Sequence, residues 1–187
     1  LENPRKASAW DRRGLVLGHV QSGKTQNYTS LICKAADAGY KVIIVIAGVH
    51  NNLRSQTQGR IDEGFIGRDS ATKSPIGVYN FGNTSTPAAF TNTKLDFNQR
   101  FAEELGINLE QLNVPVVFVI KKNNSTLRTL LKWLKDENFK NNREYIDEPM
   151  LVVDDEADNA SINIRYGKGE VAAINGHIRD LLQMFRR

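Results

Sequence analysis

Gly14-Leu15-Val16-Leu17-Gly18-His19-Val20-Gln21-Ser22-Gly23-Lys24-Thr25 sets a short apolar burst against a glycine-framed loop that ends in Lys-Thr. From Gly18 onward the string matches G-x-x-x-x-G-K-[ST], the phosphate-loop pattern. Glycines allow the backbone to curl until successive N–H groups point into one anion-sized hollow. The helix that follows adds the positive end of its dipole. Lys24 is then placed to neutralise β- and γ-phosphate charge, and the Thr25 hydroxyl to ligate magnesium. The expected nucleotide contacts are Gly18, His19, Val20, Gln21, Ser22, Gly23, Lys24, Thr25 and Gln26, with ATP and Mg2+ as the cofactors.

Reading outward, apolar bursts alternate with helical periodicity. Gly14–Leu17 reads as a strand, and a helix runs from the loop to about Ala38, with Gly39 as the left-handed glycine that ends it. Val42-Ile43-Ile44-Val45-Ile46 and Val116-Val117-Phe118-Val119-Ile120 are apolar on both alternating faces, as strands buried in a parallel sheet must be. A polar helix is expected from Asn52 to about Glu63, a weak strand over Ile76–Phe81, a loop over Gly82–Asp96 and a short helix over Phe97–Leu105. Leu127, Leu130, Leu131 and Leu134 mark an amphipathic helix capped by Asn124 or Ser125. Met150–Val153 is the last strand, and Val171 onward a helix with Ile174, Ile178, Leu181 and Phe185 inward. This alternation predicts an α/β fold: one domain over residues 1–187, a three-layer sandwich around a mostly parallel central sheet.

The last strand runs into Asp154-Asp155-Glu156-Ala157-Asp158. Carboxylates at the carboxyl end of a parallel strand stand where open α/β sheets bind ligands. Asp155 is the expected magnesium acid, with Asp154 as its competitor at the same strand end. Glu156 is expected to polarise the attacking water, so Glu156 and Lys24 are the catalytic pair. A charged turn leaving a strand is common. Joined to a phosphate loop far upstream, it becomes the second half of a nucleotide-hydrolysing site.

These residues resemble a known group. Asp155-Glu156-Ala157-Asp158 spells the acidic box of superfamily 2 helicases, and Gly18–Thr25 their first motif. GLVLGHVQSGKT (14–25), AGVHNNLRSQTQGRI (47–61), VIKKNNSTLRTLLKWL (119–134) and LVVDDEADNASIN (151–163) resemble the Z-one domain family. Its members are bacterial proteins that carry an endonuclease name over a helicase-like ATPase core. The resemblance implies a RecA-like P-loop NTPase fold and an ATPase acting on DNA, in a restriction or defence setting. It further implies that this chain corresponds to the first of two RecA-like lobes, the second supplying the arginine finger, so that the chain alone hydrolyses ATP only slowly. In helicases the segment after the second strand holds a nucleic-acid backbone. The donors of His50–Gln58 suit that task, and the expected contacts are Asn52, Arg54 and, after the third strong strand, Lys122.

Other classes fit less well. Three scattered histidines and the single Cys33 make neither a zinc site nor a disulfide framework. The apolar run Val42–Val49 is too short for a membrane span, and the expected setting is cytoplasmic. A net charge of +4 permits a nucleic-acid partner without requiring one. Asn159, Ser161 and Asn163 are expected either to support Glu156 or to cap a helix. Two further readings remain: a nucleotide-gated binding module without motor activity, and a nuclease whose cleavage site lies outside this stretch, which lacks a Pro-Asp…Glu-x-Lys arrangement.

Overall fold

A computed structural model describes residues 1–19, 23–82, 86–98, 100, 108–139, 143–165 and 172–187. Four strands form one sheet: β1 (Val42–Ala47), β2 (Ala88–Ala89), β3 (Val116–Lys121) and β4 (Met150–Asp154). Their spatial order is β2-β3-β1-β4 and every pairing is parallel. The register sets Ile44 between Phe118 and Val152, and Ile46 between Ile120 and Asp154.

All six residues of β1 are fully buried, which explains why both of its faces are apolar. One face meets α1 (Lys24–Ala38) and α2 (Asn51–Ile61): Tyr28, Ile32 and Ile61 pack with Ile43, Val45, Val117 and Val119. The other meets α3 (Asn124–Asn138) and α4 (Ala173–Met184), where Leu127, Leu130, Leu134 and Leu181 cover Ile44, Ile46, Phe118 and Ile120. Each such side chain contributes about 1.5–3 kcal/mol on burial. Under β3 on this face Phe90, Phe97, Phe118 and Trp133 form one aromatic cluster, with ring centroids 5.0–5.8 Å apart in the contacting pairs. At the opposite end of the strands Trp10 meets Tyr40 edge-on at 5.7 Å. The α/β class and the parallel sheet with helices on both faces are therefore as expected. Among the described residues no helix is long and apolar enough to cross a membrane.

Several expectations are corrected. Leu15, Val16 and Leu17 form no strand; they are 76%, 61% and 84% exposed. A strand needs a ladder partner and an apolar cover, and this burst has neither. β4 pairs with β1 on one side, and its start is met on the other by Arg187, whose carbonyl accepts from Met150 N–H at 2.9 Å. The expected strand at Ile76–Phe81 is a 3-10 turn over Gly77–Phe81. Gly77 has φ +51°, and a Cβ there would lie 2.0 Å from the Glu63 carbonyl oxygen, so the chain turns where a strand would run straight. Within the expected loop, Ala88–Ala89 pairs with β3. α2 closes in a π-helical turn, Asp62–Ile66. α1 ends as expected at Gly39, whose N–H reaches the carbonyls of Ala35 and Ala36. α3 is capped by Asn123, one residue earlier than expected. The helix expected at Phe97–Leu105 lies mostly outside the described residues.

Candidate functional site

Parallel strands deliver their carboxyl ends to one edge, and α1, α2 and α3 start there. Gly23 precedes α1 with φ +77°, a left-handed value that suits glycine. Lys24 opens the helix, and its Nζ donates to the carbonyls of Gly18 and His19, both at 3.0 Å. Val20, Gln21 and Ser22, the middle of the loop, lie outside the described residues. Gln26 is exposed on the first turn.

One turn into α1, Tyr28 joins the two halves of the motif pair. Its hydroxyl donates to Asp155 Oδ2 at 3.2 Å, and Thr25 and Thr57 lie within hydrogen-bonding reach of the same phenol. Burial, reinforced by the Asp155 charge, pushes the Tyr28 pKa up to about 12, so the phenol stays protonated and a donor. Strand alternation separates the two candidate acids. Asp154 shares the α3 and α4 face with Met150 and Val152, whereas Asp155 turns toward α1. Asp154 Oδ1 is 2.8 Å from Lys122 Nζ, whereas Asp155 is the acid that meets Tyr28 of α1.

Glu156 follows in the left-handed region, φ +55°. Its carboxylate reaches back over β1: a Cβ on Gly48 would come within 3.1 Å of Glu156 Oε2 and 2.6 Å of Leu53 Cδ1. The exposed Glu156 side chain faces the space beside α1 and α2. Arg60 was missed by sequence reading. It donates to Thr25 Oγ1 at 2.8 Å, from the last turn of α2. The signal was its place at the end of α2, next to the buried Ile61 that packs on the α1 face.

Beyond α2 the same edge opens into a polar groove of about 570 Å³. Asn51, Asn52 and Ser55 from the start of α2 face Lys121, Asn123 and Ser125 across it, and residues 93–98 form its floor and wall. Asp96 is half-buried there. Burial pushes its carboxyl up, and the Phe97 N–H, the Arg54 charge, the Lys121 N–H and the Thr126 hydroxyl pull it back.

Two of the three expected nucleic-acid contacts are buried in the structure. Arg54 is 3% exposed and donates inward to the carbonyls of Asn92 at 2.9 Å and Thr93 at 3.1 Å. Lys122 is 1% exposed and faces the acidic turn. Both cations are engaged by internal carbonyls, and Arg54 at the same time lines the groove. Asn52 does line the groove. Asn163 Oδ1 accepts from Ala172 N–H at the entry to α4, and the Ser161 carbonyl accepts from Asn175, so these polar residues brace that helix.

Among the described residues no three His, Cys, Asp or Glu side chains converge. A cation at this edge would be held by one hydroxyl and one carboxylate, Thr25 and Asp155, with the remaining oxygens from phosphate and water. That hard-oxygen set suits magnesium. No protein-family model, curated protein or solved structure matches the chain.

Proposed function

We propose that the chain is a RecA-like P-loop ATPase lobe that binds magnesium-ATP at the Lys24–Asp155 edge and a DNA backbone in the adjoining groove. The observation that carries this reading is Tyr28, which ties the helix after the G-x-x-x-x-G-K-T string to Asp155. Two motifs separated by well over a hundred residues meet at one point, as the halves of one nucleotide site must.

In this reading Lys24 leaves the carbonyls of Gly18 and His19 for phosphate oxygens, and Thr25 and Asp155 hold the magnesium ion, which neutralises phosphate charge. Glu156 orients water, and Arg60 meets phosphate from the α2 side. The groove is lined by amides, hydroxyls and Lys94 and Lys121, the donors that position a sugar-phosphate backbone without reading bases. The chain resembles a first lobe, so its own turnover is expected to be slight: an arginine finger from a second lobe is worth about 10³–10⁵ in rate. Restriction or defence against foreign DNA is the setting the resemblance implies.

Calorimetric titration of the chain with magnesium and a non-hydrolysable ATP analogue tests the reading. Saturable binding that Lys24→Ala removes is the expected result. Equal affinity in wild type and Lys24→Ala would refute it. A nucleotide-gated module without motor activity shares every contact described, and a lack of any DNA effect on turnover in a two-lobe protein would favour it.

A further inference from the structure

Lys122 is a buried cation whose acceptors all belong to another strand's end. Its Nζ lies 2.8 Å from Asp154 Oδ1 and donates to the main-chain carbonyls of Asp155 and Glu156, both at 2.7 Å. Two carbonyls accept from the ammonium, and the Asp154 carboxylate balances its charge as an ion pair. β1 lies between β3 and β4, so the side chain spans the end of β1 at Gly48, whose carbonyl accepts from Lys122 N–H at 3.3 Å. The turn it grips is strained: Glu156 adopts φ +55°. A non-glycine residue holds that conformation where surrounding contacts impose it. The ammonium on the Glu156 carbonyl is such a contact.

The neighbours of Lys122 face the other way. Lys121 and Asn123 both line the polar groove. Lys121 N–H donates to the Asp96 carboxylate, and the Asn123 side chain accepts from Thr126 N–H at 2.7 Å as the cap of α3. One residue therefore separates groove from acidic turn.

We propose that Lys122 is a positioning residue that couples occupancy of the groove to the setting of the Glu156 turn. The coupling rests on the nucleotide-site reading above. A backbone bound across Lys121 and the start of α3 acts on the main chain on both sides of Lys122. The ammonium cannot follow without moving the carbonyls of Asp155 and Glu156, and with them the carboxylate beside Gly48. Linkage is reciprocal, so a nucleotide bound against Asp155 and Glu156 changes groove affinity by the same factor. Contact continuity is what the structure supplies, and a coupling free energy is what must be measured.

The test uses the whole 187-residue chain. Affinity for a magnesium-bound, non-hydrolysable ATP analogue is measured with and without an oligothymidylate of about 16 nucleotides, long enough for one single-strand site. Wild type is expected to shift about fivefold or more, the lower end of typical coupling. Lys122→Gln is expected to keep both separate affinities and lose the shift, and Lys122→Arg to retain it. A Lys122→Gln protein that still shows the wild-type shift overturns the proposal, and so does one that loses both affinities, because Lys122 then only holds the fold. Hydrogen exchange on wild type gives a second readout that needs no variant. Amides 154–157 are expected to slow when the oligonucleotide binds, and unchanged exchange overturns the coupling. If wild type binds the analogue but shows no shift, the coupling fails and the nucleotide site stands. If wild type does not bind the analogue, the nucleotide site itself fails.

Discussion

Lys24 rests its ammonium on two carbonyls of its own loop, a contact that a phosphate would replace. Hydrogen bonds to charged groups contribute about 1.5–3 kcal/mol. Lys24→Ala is accordingly expected to weaken magnesium-ATP binding at least tenfold by calorimetry. Glu156→Gln should bind like wild type, because it keeps size and an acceptor oxygen while losing the carboxylate proposed to polarise water. Tyr28 carries a pH signature. Its folded pKa of about 12 lies above the ordinary tyrosine value of 10.0, so the folded state holds this proton more tightly than the unfolded state. That contribution is complete below pH 10 and is lost as pH climbs toward 12. Tyr28→Phe should flatten the alkaline limb of a stability–pH curve over that window, read by denaturant titration. Sequence spacing singled out Lys24, Thr25 and Asp155, and the structure brings Thr25 and Asp155 to one phenol, that of Tyr28. Sequence did not reveal that Arg54 and Lys122 are buried, because a cation's identity does not say which way it faces. For Lys122 a clue existed: it shares strand parity with Phe118 and Ile120, on the buried face that also carries Asp154.

β1, β3 and α1 were legible end to end because each is specified locally, by two apolar faces or by a terminal glycine. α2 was legible as a helix but not as a packed one. Its buried face is Arg54, Thr57, Gln58 and Ile61, a mainly polar stripe satisfied by tertiary hydrogen bonds such as Thr91 Oγ1 to Gln58 Oε1 at 2.7 Å. Ile76–Phe81 was misread because Gly77 turns at φ +51° against the Glu63 backbone, a close approach to a residue no local window contains. Two substitutions probe elements directly. Asn123→Ala removes the α3 cap and should lower folding stability by about 1 kcal/mol in a denaturant series. Gly48→Ala drives a methyl into Leu53 and the Glu156 carboxylate, and should cost about 1–3 kcal/mol as overpacking. It should also reduce any turnover, since the carboxylate must move.

At the scale of the whole molecule, β4 stands at the edge of the sheet while Leu15, Val16 and Leu17 stand in solvent. Among the described residues, a strand edge met only at its start and an exposed apolar run invite association with other chains. Sedimentation of the chain should show concentration-dependent self-association, and Leu17→Lys should diminish it. The apolar burst was misread as a strand because composition is all a sequence offers; whether a partner strand stands beside it is a property of the assembled sheet.

The aromatic cluster on the α3 side gives the protein an internal optical reporter. Trp133 touches Phe97, and Phe97 belongs to the segment that lines the groove, whereas Trp10, the only other tryptophan, packs on Tyr40 at the far end of the strands. A ligand that reorganises the 93–98 segment alters the packing around one indole and leaves the other untouched. Emission from a Trp10→Phe protein would then follow groove occupancy without any attached dye, and nucleotide added alone would register in the same signal to the extent that the acidic turn and the groove move together across the carboxyl end of β3.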